Sequence, residues 1–463
     1  MLAFRALPSS TTRCGSLSPS FRFCPTFSRV GQRRCLLTLA IETSCDDTSV
    51  SIVEKHPNNA TTIHFLENVT ADTRQYRGIH PIEALLSHQE SLAKLVNKAL
   101  GYLPQAEAQG SSNSLIINDG RNITRRLPDF VAATRGPGMR SNLAVGIDTA
   151  KGLAVAWQRP FIGVHHMQAH LLTPRLVSAM EGKGTSVQPE FPFLSILVSG
   201  GHSMLVHSKS LIEHDIIAST VDIAMGETLD KSAREILPES LLQDAKTTMY
   251  GKMLEKFAFP NGPADYANYR PPRNRGEEQV RRESPWGWSI TTPFANTRHL
   301  QFSFSCVSST VSRISQERAK AGRESMSNDE RVDLAREVMR VCFEHLASRT
   351  IIALETLEQK RLHGQSSDEE IKTLVVSGGV AANKFLMTVL RSFLDVRGFE
   401  HVRIVAPPPY LCTDNAAMIG WAGIEMFEAG WSTDLGAKAV RRWTLDPQAE
   451  DGGILGIDGW VRR

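Results

Sequence analysis

Phe193-Leu-Ser-Ile-Leu-Val-Ser-Gly-Gly201 and Ile371-Lys-Thr-Leu-Val-Val-Ser-Gly-Gly379 are two copies of one pattern, an apolar run that stops at Ser-Gly-Gly. Runs of this length and composition read as buried strands, and the glycines mark the turn at each end. The second copy leads straight into a helical pattern from Ala381 to about Leu394, the strand-turn-helix order of an α/β unit. A third glycine turn, Thr134-Arg-Gly-Pro-Gly138, follows the strand-like Phe130-Val-Ala-Ala133. The echo predicts a duplicated α/β lobe. Glycine lets a backbone approach a ligand and aim N–H groups at an anion, so three such turns favour a nucleotide cleft between two lobes. One turn alone would decide nothing, because glycine also serves tight turns for steric reasons.

Upstream, Cys35-Leu-Leu-Thr-Leu-Ala-Ile41 and Ser49-Val-Ser-Ile-Val53 read as strands joined by Glu42-Thr-Ser-Cys-Asp-Asp-Thr48, a hairpin whose tip offers carboxylates and hydroxyls. Downstream of the third glycine turn stands His165-His166-Met167-Gln168-Ala169-His170. On a helix, His166 and His170 share one face about a turn apart, where two imidazoles can grip one cation. Polar or capping histidines are the other reading of the same spacing. A two-histidine hydrolytic helix carries Glu directly after its first His to act as general base, and Met167 fills that place here. A zincin-type protease is therefore not expected, and metalloprotease activity ranks last among the readings.

A chain of 463 residues, 41% apolar, can bury a large core divided between two or three lobes. Residues 1–34 hold Arg5, Arg13, Arg22, Arg29, Arg33 and Arg34, many hydroxyl residues and no acid, the composition of a mitochondrial transit peptide. Removing those six from 52 basic residues leaves 46 against 49 acids, so nucleic-acid binding would need a local patch. Seven scattered cysteines with no C-x-x-C pair argue for reduced thiols. No apolar run is long enough to cross a bilayer, and no membrane partner is expected.

Four stretches, 108–126, 238–249, 261–298 and 315–331, are polar and lack sustained periodicity, and they read as surface loops inserted in the fold. The third interleaves Arg270, Arg273, Arg275, Arg281 and Arg282 with Tyr266, Tyr269, Trp286 and Trp288, which suits phosphate contact and base stacking. Glu277, Glu278 and Glu283 dilute that charge, so a solvated loop is the other reading.

Eight motifs now stand in order: Ile41-Glu-Thr-Ser-Cys-Asp-Asp-Thr48, Gly136-Pro-Gly-Met139, Val164-His-His-Met-Gln-Ala-His170, Leu197-Val-Ser-Gly-Gly-His202, Asp222-Ile-Ala-Met-Gly-Glu-Thr-Leu-Asp-Lys231, Phe302-Ser-Phe-Ser305, Val376-Ser-Gly-Gly-Val-Ala-Ala-Asn383 and Thr413-Asp-Asn415. In this set and order the chain resembles the universal tRNA threonylcarbamoyltransferase family, once called O-sialoglycoprotein endopeptidases, and within it the mitochondrial branch. The resemblance runs from residue 35 to about 425. It implies an α/β protein of actin-like, sugar-kinase-like fold: two related RNase H-like lobes with a nucleotide cleft between them. The implied division is a transit peptide at 1–34, a first lobe at 35–165, a second lobe at 166–410 carrying the insertions at 238–249, 261–298 and 315–331, and a segment 411–463 that returns to the first lobe.

The resemblance further implies one divalent metal ion per subunit, zinc or iron, held by His166, His170 and Asp414, the last of which would otherwise read as a helix N-cap. Leu197, Val198, Ser199, Gly200 and Gly201 would line the phosphate side of a nucleotide. Asp230 and Glu255 would accept from ribose hydroxyls beside Gly251, and Asn383 would pin the adenine end. Surface ion pairs with Lys231 and Lys256 are the alternatives for the two acids. Cys306 and Ser308 stand where relatives carry Gly and Lys after Phe-Ser-Phe-Ser, and Met249-Tyr250-Gly251 replaces a Pro-Gly-Gly turn.

The implied reaction transfers threonylcarbamoyl from L-threonylcarbamoyladenylate, made by a separate enzyme, to the exocyclic amine of adenosine 37. The acceptors are mitochondrial tRNAs reading codons that begin with A, and AMP is released. Mitochondrial members resemble homodimers of the matrix. Two other functions use the same features: an ATP-dependent small-molecule kinase of this fold, and a non-catalytic scaffold binding nucleotide and tRNA. The kinase reading leaves His166 and His170 without a task.

Overall fold

The computed structural model describes residues 35–463 except 77, 107–112, 118–122, 183–185, 244–249, 321–325 and 366–367. The expected transit segment, 1–34, lies outside the described residues, as do parts of 108–126, 238–249 and 315–331.

The first lobe opens with β1 (Leu36–Glu42), β2 (Asp47–Lys55) and β3 (Thr61–Thr70), an antiparallel meander in which Ile41 faces Val50 across the predicted hairpin. Helix α1 (Pro81–Leu100) follows, with proline at its start and a stripe of Ala84, Leu92, Leu95 and Ala99 turned inward. A small hairpin, β4 (Ser114–Ile117) and β5 (Ile123–Arg126), stands in the first insertion. Then β6 (Phe130–Gly136), α2 (Arg140–Trp157) and β7 (Phe161–His165) add two strands parallel to β1. These strands are buried along their whole length, as strands covered on both faces must be. Helix α3 (His166–Glu181) starts where β7 ends.

The second lobe repeats the plan. An antiparallel meander, β8 (Phe193–Val198), β9 (Ser203–Ser208) and β10 (His214–Ser219), precedes α4 (Met225–Ile236), α5 (Glu239–Gln243), α6 (Tyr250–Ala258), α7 (Arg275–Glu278), α8 (Ser305–Lys320) and α9 (Asn328–Leu362). The parallel strand β11 (Thr373–Ser377), α10 (Lys384–Val396) and β12 (Arg403–Val405) follow. Spatial order is β3-β2-β1-β6-β7 in one sheet and β10-β9-β8-β11-β12 in the other. Position for position these are the same sheet: a meander whose first strand then acquires two parallel neighbours. The two Ser-Gly-Gly runs are β8 and β11, parallel neighbours within the second sheet alone, so their echo is not the duplication of lobes; that duplication lies between the two sheets, and the actin-like fold follows from it.

Helices α11 (Pro409–Cys412) and α12 (Ala416–Glu428) carry the chain back, and β13 (Trp431–Thr433) and β14 (Trp460–Arg462) extend the first sheet beyond β7. Leu171, Leu172, Leu197, Val206, Leu411 and Trp421 share one apolar cluster, so α3 and α12 join the lobes through a common core. The 35-residue α9 is the spine of the second lobe, and its Ser327 cap accepts from the Glu330 N–H.

Each of the four insertions holds some regular structure where surface loops were expected, and the last two depart furthest. Residues 315–320 continue α8. Residues 261–298 dock onto α9, where Tyr266, Trp288 and Ile290 are buried in the second-lobe core. The indole N–H groups of Trp286 and Trp288 donate to Asp333 and Glu330, and Glu278 is buried between Arg275 and Arg397. Arg275 also donates to the Thr297 carbonyl and the Ser348 hydroxyl. Charge and aromatic rings are spent inward here, which composition alone cannot reveal.

Candidate metal centre and nucleotide cleft

The junction of β7 and α3 assigns the three histidines separate tasks. His165 is fully buried and caps α3: its Nδ1 accepts from the Met167 and Gln168 N–H groups at 3.2 and 3.3 Å, and its Nε2 donates to the Trp443 carbonyl at 3.1 Å. Burial pushes this imidazole down to about 3, so it stays neutral in the tautomer the cap requires. The capping reading thus belongs to His165, and its two neighbours one turn apart are left for the cation.

His166 and His170 project from the first two turns of α3 with rings edge to face and centroids 4.7 Å apart. Both Nε2 atoms approach one oxygen of Asp414, at 3.5 Å from His166 and 3.1 Å from His170. Asp414 does not cap α12; Asn415 does, accepting from the Met418 N–H. The aspartate is held by the first lobe, where Asn68 donates to its carbonyl at 3.0 Å and the Ser49 hydroxyl accepts from the Ala416 N–H at 2.8 Å.

Four observations test whether these residues fit a cation. Three ligand atoms, one from each residue, lie within 4.8 Å of one another. Bonds of about 2.0–2.2 Å to a common ion would separate neighbouring ligand atoms by roughly 3.0–3.5 Å, matching the nitrogen to oxygen distances found. His170 Nδ1 is buried without a hydrogen-bond partner, which leaves Nε2 as the atom that earns the ring its place. Burial pushes the His166 imidazole down, but Asp414 and Glu42 outweigh it and hold it up at about 9; a proton is retained where a cation belongs. Two imidazoles and a carboxylate suit zinc or iron equally.

The hairpin tip completes the surroundings. Glu42, fully buried at the end of β1, places Oε2 3.2 Å from His166 Nδ1, and His166 pushes its carboxyl below the usual range despite burial. Burial raises Asp47 to about 7, with Asp414, Asp46 and Glu42 adding to the effect. His202 is pushed down to about 4 by burial and by His166 and His170, so it faces them neutral. Sequence reading placed carboxylates at this tip without giving Glu42 or His202 a role. The signal was available only as a topological argument: β1, β6 and β7 are parallel neighbours, so whatever ends β1 faces whatever starts α3.

A cleft of about 260 Å³ adjoins this centre. It is walled by Gly200, Gly226 and Asp230, by Gly251 and Glu255 on one face of α6, by Gly379 and Asn383, and it ends at Thr413, next to Asp414. Most of the wall comes from the second lobe, with α11 closing one side. Gly200, Gly201 and Gly379 have open space where a side chain would stand, whereas a side chain at Gly378 (φ +95°) would lie 2.4 Å from the Val198 carbonyl oxygen. Both readings of the glycine turns are therefore realised: Gly378 packs one turn on the other, and its neighbours face the cleft.

Asp230 does not pair with Lys231, which instead meets Glu227 at 2.7 Å. It accepts from the Gly251 N–H at 2.6 Å, and burial raises its carboxyl to about 6. Glu255 accepts from the Lys384 N–H at 2.8 Å and is also raised by burial. Leu197 and Val198 are buried in β8, and the Ser199 hydroxyl accepts from Gly201 and His202 N–H groups. Asn383 reaches the wall, yet its oxygen caps α10 by accepting from Leu386. Outside the cleft, Asp222 accepts from the Ser303 and Ser305 hydroxyls, both at 2.6 Å, and thereby clamps the Phe302–Ser305 turn beside α8.

A duplicated fold with a glycine-walled cleft and a two-histidine, one-carboxylate cluster at its end defines a protein of the actin-like class with a candidate metal centre beside the cleft. The sequence profile described as TsaD, tRNA N6-adenosine threonylcarbamoyltransferase, matches residues 63–421, and the chain belongs to that family. It is 34% identical to the mitochondrial tRNA N6-adenosine threonylcarbamoyltransferase of Schizosaccharomyces pombe, over 97% of this chain and 93% of that one. It is 30% identical to the Zymomonas mobilis tRNA N6-adenosine threonylcarbamoyltransferase, over 91% and 95%. The crystal structure of T. kodakarensis HypF aligns at 12% identity over 85% of this chain and 47% of that one, with a TM-score of 0.41. Among the described residues no helix is long and apolar enough to cross a membrane.

Proposed function

We propose that this transferase moves the threonylcarbamoyl group of L-threonylcarbamoyladenylate onto the exocyclic amine of adenosine 37 in mitochondrial tRNAs reading codons that begin with A, with release of AMP. The observation that carries the reading is the adjacency of Thr413, at the end of the cleft, and Asp414, on which two histidine nitrogens converge. A donor whose nucleotide lies in the cleft then presents its acyl-phosphate end to that cluster. The donor is a mixed anhydride with a good leaving group, so orientation and stabilisation of developing charge matter more than a strong base.

Each residue has a task in this scheme. The open glycines admit the nucleotide phosphate to backbone N–H groups. Asp230 and Glu255 accept from ribose hydroxyls, and Asn383 holds the start of α10 as the adenine wall. His166, His170 and Asp414 hold one divalent zinc or iron ion, which when bound supplies Lewis acidity toward the donor's oxygens. We further assign residues 1–34 to mitochondrial targeting, 35–165 and 166–410 to the two lobes, and 411–463 to completion of the first. The working form is a matrix homodimer using donor made by a separate enzyme.

The test is nucleoside mass spectrometry of unmodified mitochondrial tRNA incubated with residues 35–463, a donor-making enzyme, threonine, bicarbonate and ATP. Threonylcarbamoyladenosine formed by the parent protein and lost in His166→Ala supports transferase and metal site together. Product formed by both leaves the transferase standing and removes the metal from it. No product from folded protein with confirmed donor synthesis returns the kinase and the scaffold, which γ-phosphate transfer from ATP separates.

A further inference from the structure

We propose that Glu42 is a positioning residue for the metal centre: its buried carboxylate fixes the His166 ring so that Nε2 is presented to the cation. This rests on the reading of His166, His170 and Asp414 as ligands. Glu42 is 0% exposed and makes three contacts. Oε1 accepts from the Ser44 N–H at 2.5 Å, Oε2 accepts from the Thr134 hydroxyl, and Oε2 lies 3.2 Å from His166 Nδ1. The ends of two neighbouring parallel strands, β1 and β6, thus grip the carboxylate, and it in turn grips the imidazole. A carboxylate only accepts, so Nδ1 carries a hydrogen toward Glu42, and a cation that displaces the proton on Nε2 meets a lone pair aimed at it.

The second histidine shows what such a contact adds. His170 Nδ1 is buried with no partner, so nothing equivalent sets its ring. His166 is the anchored ligand and His170 the one that adapts. Glu42 also places a second buried negative charge beside Asp414, so two carboxylates match the two charges of a divalent ion. A carboxylate bonded to a ligating histidine raises the basicity of that ligand as well as orienting it.

The experiment compares the parent chain with Glu42→Gln, Glu42→Asp and Thr134→Val in zinc affinity, measured by competition with a chromophoric chelator, and in the visible absorption of the cobalt-substituted proteins. Glu42→Gln keeps the shape and removes the charge; the expected result is about 10- to 100-fold weaker zinc binding and an altered cobalt spectrum. Glu42→Asp should recover part of the affinity. Thr134→Val, which removes one bond that holds the carboxylate, should weaken zinc binding a few-fold and shift the cobalt spectrum slightly, and it serves if Glu42→Gln does not fold, when an unchanged zinc affinity and cobalt spectrum in Thr134→Val would count against Glu42. Parent-like affinity and spectrum in Glu42→Gln overturn the inference while the ligand assignment stands. A parent protein that binds neither metal at these residues overturns both.

Discussion

The turn after β1 and the turn after β8 occupy the same place in two copies of one sheet, yet their chemistry is opposite. The first, Glu42 to Asp47, is acidic and hydroxylic and closes round His166; the second, Ser199 to His202, is glycine-rich and leaves open space. The turns after β6 and β11 differ in the same sense. Thr134 donates to Glu42, whereas Gly378 packs against Val198 and frees Gly379 toward the cleft. Topology fixes where a site can stand, at the carboxyl ends of parallel strands, and side chains then divide the labour. On the proposed roles, the strand ends of the first sheet serve the cation and those of the second the nucleotide.

The sharpest way to break that division is at the acidic side. Asp414→Ala removes the oxygen shared by both histidines and should reduce tRNA modification by about 100- to 10,000-fold, the scale of several kcal/mol of charge stabilisation. Metal content by atomic emission should fall with it, while AMP binding in the cleft, followed by calorimetry, should persist. Loss of both would show that the lobes do not divide the task.

Next in size is Gly378→Ala, which forces a side chain into the left-handed region and against the Val198 carbonyl. Thermal or denaturant unfolding should show a loss of about 1–3 kcal/mol. Its neighbour sharpens the comparison: Gly379→Ala meets nothing within 4 Å, so stability should hold within about 0.5 kcal/mol and only nucleotide affinity should change.

Between these in effect stands Asp222, an exposed second-lobe acid outside the cleft. Partial desolvation pushes its carboxyl up, but hydrogen bonds from Ser303, Ser305, Phe304 and Ile223 outweigh it and hold it well below the usual carboxylate range. A depressed carboxylate contributes stability that is full above its unfolded value of about 4 and is lost as pH falls toward its folded one. Asp222→Asn should therefore cost about 1 kcal/mol at pH 7, and denaturation curves of parent and variant should converge below about pH 4.

Much of this arrangement is legible in the sequence. The apolar runs ending in Ser-Gly-Gly are β8 and β11, and the hairpin at residues 35–53 is β1 and β2 extended by a residue or two. Period and turn chemistry are local properties, and locally they suffice. His166 and His170 declare themselves by spacing, whereas Asp414, 244 residues beyond His170, is reachable only through the family resemblance. Glu42 needs the strand order before its contact with His166 can be seen. Residues 261–298 were misread because Arg275, Glu278, Trp286 and Trp288 look like a solvated surface until their partners on α9 and at Arg397 are known.

The His165 cap carries one more consequence, for the order in which the chain is made. Its anchor is the Trp443 carbonyl, and the histidines converge on Asp414, so the helix that bears them emerges long before the residues that fix it and finish the cluster. A chain halted between His170 and Asp414 holds both histidines but neither the Trp443 anchor nor the aspartate on which they converge. On the proposed ligand set, the complete site exists only in a chain carried past Asp414.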